Sequence, residues 1–124
     1  TGLPYQAQTD GHYLRALLER LCRMKTKTVL ITGTKPSADR IGFAGLQKDE
    51  GLFSYHGQYR PKALHGTGDM FSAVFAGAYV LGRDPMEAGE LAAGFVERVV
   101  DATVEVTPFG GEFETQLPWL WQQL

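Results

Sequence analysis

Cysteine is almost missing from this chain. Cys22 stands alone, so no internal disulfide can form and no cysteine-rich metal site is available. Excess charge is missing too. The 12 Lys and Arg against 14 Asp and Glu leave a net charge of -2, which gives no electrostatic reason to expect nucleic acid or an anionic membrane as a partner. No apolar run approaches the roughly 18 residues of a membrane span. The N-terminus lacks the basic-then-apolar pattern of a signal peptide, so a cytoplasmic setting is expected. The 3 histidines, His12, His56 and His65, lie too far apart for metal-ligand spacing and read as surface residues or, for His65, a loop flank. An initiating Met is also lacking. The chain opens at Thr1, which leaves a processed chain, an expressed piece or a fragment open. What is present is ordinary globular composition, 44% apolar and 21% charged over 124 residues, fitting one domain or a part of a larger one.

The elements alternate in the α/β manner. Residues 9–24 carry Leu14, Leu17, Leu18, Leu21 and Cys22 at helical spacing, with Thr9 or Asp10 able to cap the start. Cys22 lies on that apolar stripe and reads as core. Residues 28–32 are short, β-branched and without alternation, as expected of a buried parallel strand. Residues 34–39 are polar, include Pro36 and read as a loop. Residues 40–46 and 52–55 flank Lys48-Asp49-Glu50-Gly51, a hairpin-turn signal. Residues 70–81 form a helix buried through Phe71, Val74, Phe75 and Ala78, in which Gly77 is expected to permit close packing. Asp84-Pro85-Met86-Glu87 resembles a capping box that opens a helix to about residue 102. Residues 104–106 read as extended. An amphipathic segment with Phe113, Leu117, Leu120 and Leu124 closes the chain despite Pro118.

The chemistry-bearing feature is Gly66-Thr67-Gly68-Asp69 at the mouth of an apolar helix. A helix's first turn leaves main-chain N–H groups unpaired and carries partial positive charge. Glycines there let an anion approach without a Cβ in the way, which makes a phosphate cradle of backbone donors. An Asp beside such a cradle suits a hydroxyl that must lose its proton while attacking a phosphorus. The plainer alternative is a capped helix after a glycine turn. The motif is neither a Walker loop nor a dinucleotide fingerprint, since the spacing of both fails.

The run Gly-Thr-Gly-Asp-Met-Phe-Ser-Ala, followed by an apolar helix and a second Ala/Gly-rich helix, resembles the end of the ribokinase-like superfamily. Within it, the run looks like that of the pyridoxal kinases and their relatives. Residues 1–5, the strand and loop at 29–33, and the hairpin at 40–55 agree in order. The resemblance implies a ribokinase-like α/β fold with a partial parallel sheet, a β-hairpin excursion and C-terminal helices. Residues 1–124 would be the C-terminal, nucleotide-binding half. It implies ATP-dependent phosphorylation of the hydroxymethyl group of pyridoxal or a related B6 vitamer. Hydroxymethylpyrimidine or phosphomethylpyrimidine kinase activity, or a non-catalytic nucleotide-binding module, are the alternatives. Asp69 would be the catalytic base and Gly66, Thr67 and Gly68 the anion hole. Thr32 and Gly33 would touch the ATP phosphates, and the stretch holding Tyr59, Arg60, Lys62 and Leu64 would pass near the nucleotide. ATP and Mg²⁺ are the implied cofactors and a pyridoxal-like alcohol the partner, with a homodimer left open. No residue here is assigned to the metal, because the family's acidic Mg²⁺ motif has no counterpart; Asp49 and Glu50 read as a turn, and Glu112 and Glu114 as a helix start. The 124 residues alone are expected not to phosphorylate pyridoxal.

Overall fold

A computed structural model describes residues 1–6 and 10–124, which divide into two units, Thr1–Tyr59 and Arg60–Leu124. Thr9, one of the two expected helix caps, lies outside the described residues.

In the first unit, helix α1 (Gly11–Cys22) begins where the Asp10 carboxylate accepts the Tyr13 N–H at 2.8 Å. This satisfies one of the donors that a helix start leaves orphaned. Leu14 and Leu18 project from α1 onto Ala44, with Val29, Ile31 and Leu46 packed around them. Cys22 is half-buried, its Sγ 3.8 Å from the Leu46 carbonyl, which fits the core reading. The sheet has the order β1 (Thr28–Ser37), β2 (Arg40–Gln47), β3 (Gly51–Gln58), and both pairings are antiparallel.

Two expectations change here. Residues 28–32 pair antiparallel with β2 rather than parallel, because only Ala38 and Asp39 separate the paired residues Ser37 and Arg40. A parallel crossover needs a dozen residues or more. Residues 34–37 continue β1 instead of forming a loop. The strand absorbs Pro36 because its register shifts on either side of Thr34 and because, among the described residues, β1 has no second neighbour whose ladder a missing N–H would disrupt. The hairpin at 48–50 is as expected: Glu50 N–H returns to the Gln47 carbonyl at 3.1 Å, and Asp49 takes a positive φ of 71°. One histidine is misread by sequence. His56 is half-buried, and its Nε2 lies 2.7 Å from the hydroxyl of fully buried Thr34.

In the second unit, α2 (Thr67–Val80) packs on α3 (Pro85–Ala102). Phe71 and Ala78 are buried on one side, and Ala88, Ala92, Phe95 and Val99 on the other. Burying a side chain such as Phe71 or Phe95 contributes roughly 1.5–3 kcal/mol. Between the helices, Gly82 N–H bonds the Tyr79 carbonyl and Arg83 N–H the Ala78 carbonyl, with Gly82 at φ 97°. That is a Schellman closure of α2. The Asp84–Glu87 capping box then opens α3 as the sequence implies. Gly77 does not serve close packing: a Cβ there would meet nothing within 4 Å. It lines an apolar groove of about 360 Å³ with Val74, Phe95, Leu117, Leu120 and Leu124. Residues 104–106 form no strand; the nearest pairing is an isolated bridge between Thr107 and Gly110. A 3-10 turn (Glu114–Gln116) leads into α4 (Leu117–Gln123), whose Pro118 stands in the first turn, where its missing N–H costs no helix bond. Among the described residues no helix is long and apolar enough to cross a membrane.

Candidate functional site

The backbone of Gly66 makes the motif. Its φ of 86° lies in the left-handed region, where a Cβ is disfavoured, and it is the N-cap of α2. The first bond of the helix runs from Met70 N–H to the Gly66 carbonyl at 2.9 Å. The N–H groups of Gly66, Thr67, Gly68 and Asp69 precede it and have no acceptor within the helix. Space beside its two glycines is open. A Cβ on Gly68 would meet nothing within 4 Å, and one on Gly66 only the tip of Met70 at 4.0 Å. Asp69 is exposed in the first turn, and its carboxylate has no hydrogen-bond or ion-pair partner among the described residues. Amides without an acceptor inside the helix and a solvent-facing carboxylate therefore share one helix start. Such a start attracts an anion, and the free carboxylate beside it can accept a proton.

The segment before the motif is tied to the end of α3. The Arg60 guanidinium grips the Asp101 carboxylate through Nε at 2.5 Å and Nη2 at 3.1 Å. Lys62 Nζ donates to the carbonyls of Val100 and Thr103, both at 3.0 Å. Leu64 is buried, and its Cδ1 lies 3.3 Å from where a Cβ on Gly111 would stand. The charged heads of Arg60 and Lys62 thus point to α3. Thr103, to which sequence periodicity gives no role, is fully buried here. Its only local signal is its position just after a long amphipathic helix.

Thr32, Gly33 and Tyr59 belong to the first unit. Thr32 and Gly33 are exposed at the β1 register shift, with Gly33 at φ 68°. Tyr59 carries the Lys35 ammonium 3.6 Å from its ring centroid, a cation–π contact that sequence reading misses because it joins β1 to the end of β3. Among the described residues no three His, Cys, Asp or Glu side chains converge to hold a metal. The described residues therefore offer no carboxylate cluster that would hold Mg²⁺ by protein ligands alone.

The family model for phosphomethylpyrimidine kinase matches residues 3–113. No curated protein matches the chain. Solved structures do. A candidate phosphomethylpyrimidine kinase from Bacteroides thetaiotaomicron is 24% identical with a TM-score of 0.87, over 94% of this chain and 42% of that one. The same protein in a crystal form with pyridoxal gives 23% identity and a TM-score of 0.84, over 94% and 43%. Pyridoxal kinase from Lactobacillus plantarum is 25% identical with a TM-score of 0.82, over 98% and 45%. The chain thus spans less than half the length of these structures. Its fold is that of their ribokinase-like α/β architecture, and with the family model covering nearly all of it, the chain belongs to the phosphomethylpyrimidine kinase family.

Proposed function

We propose that the chain is the C-terminal, nucleotide-binding half of a kinase that moves the γ-phosphoryl group of ATP onto a hydroxymethyl group, with pyridoxal or a related B6 vitamer as the alcohol. One observation carries this reading: first-turn amides that lack an acceptor inside the helix and a side-chain cap stand beside an unpartnered carboxylate on the same helix start. The hydroxymethyl oxygen attacks the γ-phosphorus, its proton passes to Asp69, and the bond from phosphorus to the β,γ-bridging oxygen breaks to release ADP. The N–H groups of Gly66, Thr67 and Gly68 hold the oxygens of the group in flight. Catalysis of this kind rests on positioning and electrostatics, so Asp69 needs no strongly shifted acidity. Thr32 and Gly33 would meet the ATP phosphates, on their exposure and the turn of the chain at Gly33. The backbone holding Tyr59, Arg60, Lys62 and Leu64 would run past the nucleotide. ATP is the phosphoryl donor in this reading, and Mg²⁺ accompanies the nucleotide rather than a ligand set of this chain.

A second alcohol, a hydroxymethylpyrimidine, has equal standing, because the matching family model is described by phosphomethylpyrimidine kinase. Both substrates present a hydroxymethyl group on a heteroaromatic ring. A non-catalytic module is the contrasting reading. Calorimetric titration of the chain with ATP-Mg and with inorganic phosphate separates them from a bare anion site: ATP should bind at least about tenfold more tightly. Equal affinities would refute a nucleotide site. ADP release by the product of the whole reading frame, driven by pyridoxal or by hydroxymethylpyrimidine, then separates the two kinases from each other and from the module. The 124-residue chain by itself should show no such release.

A further inference from the structure

We propose that Lys62 and Thr103 are positioning residues for the cradle: they fix the direction of its amides through the backbone and do not touch the phosphate. The proposal rests on reading residues 66–69 as that cradle.

Residues 60–64 have no regular structure of their own, yet they deliver the chain to Gly66. Their placement comes from the C-terminal end of α3. A helix's last carbonyls lack intrahelical donors and carry partial negative charge, so they call for a cation. Helix α3 has no basic residue in its own last turn. Lys62, from a segment 38 and 41 residues away in sequence, supplies it to the Val100 and Thr103 carbonyls. Arg60 adds a two-point grip on Asp101.

Thr103 joins three segments. It is fully buried. Its hydroxyl donates to the Val99 carbonyl at 2.7 Å and accepts the Glu112 N–H at 3.0 Å. Its own carbonyl takes Lys62. The chain around Glu112 in turn presses on the approach to the motif. A Cβ on Gly110 would stand 3.0 Å from the His65 carbonyl oxygen, and one on Gly111 only 2.6 Å from Val99 Cγ1. The segment is therefore held at Arg60, Lys62, Leu64 and His65, up to the residue before Gly66. Few rotations remain by which the amides of residues 66–68 could turn without disturbing the end of α3. The two basic residues that a motif reading assigns to the nucleotide have their charge committed to this clamp.

Amide NMR of the ¹⁵N-labelled chain, titrated with inorganic phosphate, tests the proposal. In the wild type, phosphate should shift the Gly66, Thr67 and Gly68 signals. Lys62→Met and Thr103→Val should each weaken that binding by about fivefold or more, and each should move the Gly66 and Gly68 signals before phosphate is added. Asp84→Ala, which loosens α3 at its other end, should leave phosphate affinity within about twofold of the wild type. That contrast separates positioning from loss of stability. If the wild type shows no phosphate shifts, the cradle reading fails and the positioning role with it. If the wild type binds but Lys62→Met binds equally well with unmoved signals, the positioning role alone is overturned. It is also overturned if Lys62→Met weakens binding while the unliganded Gly66 and Gly68 signals stay in place, since the lysine would then act on the anion directly. Should Thr103→Val not fold, the Lys62→Met signals decide alone.

Discussion

The hydroxyl of Thr34, sealed from solvent in β1, lies 2.7 Å from Nε2 of His56 in β3. Burial first, and the positive charge of Arg40 second, hold the imidazole pKa below its usual 6.5. The unfolded chain therefore binds this proton more tightly than the folded one. Stability contributed by neutral His56 is present above pH 6.5 and is lost as the pH falls through the lowered folded-state value. The melting temperature should accordingly drop between about pH 7.5 and pH 5, and His56→Gln, which keeps a polar partner for Thr34, should narrow the drop. An identical drop in the variant would remove His56 as its cause.

Asp69→Asn should reduce phosphoryl transfer by at least about 100-fold while ATP affinity stays within a few fold. The measurement is steady-state turnover and calorimetric ATP binding with the product of the whole reading frame. Unchanged turnover would refute Asp69 as the base.

Gly66→Ala forces a Cβ into the left-handed region without any steric neighbour to blame, since only the Met70 tip comes near, at 4.0 Å. The cost should be about 1–2 kcal/mol, read as a lower urea midpoint, and phosphate binding should weaken in parallel. A variant as stable as the wild type would mean that Gly66 does not hold this conformation.

Asp84→Ala removes the side chain that accepts the Glu87 N–H at 2.9 Å. The expected loss is about 1 kcal/mol, measured by urea unfolding, with no change at the phosphate site. A loss near zero would show the capping box to be redundant with the packing of α3.

Local chemistry made much of this protein readable. The capping box at 84–87 and the glycine-rich helix start at 66–69 are both written within four residues, so they show without tertiary information. The apolar stripes of α1, α2 and α3 follow from helical spacing for the same reason. What escaped reading depends on distant partners. Residues 34–37 look like a loop because Pro36 breaks strand patterns, and the proline is tolerable through the register shifts of β1 and its lack of a second neighbour among the described strands. Strand direction was likewise hidden, since a run such as residues 28–32 is equally compatible with either pairing until its neighbour is known. Arg60 and Lys62 resemble nucleotide contacts by type and position, while their partners sit 38 to 41 residues later in sequence. Thr103 and Thr34 are fully buried polar residues, and a lone threonine in a sequence gives no sign of what it will bond.

A grip made of peptide hydrogens has no functional group that mutation can swap out. Replacing the side chain at position 67 leaves its donor where it was. Proline would remove the hydrogen as well, but its ring excludes the ψ of 0° that Gly66 holds, so it would disturb the main chain along with the donor. Natural variation here should thus be lenient toward side-chain chemistry and strict toward the shape of the main chain, with proline at 67 excluded by the Gly66 turn.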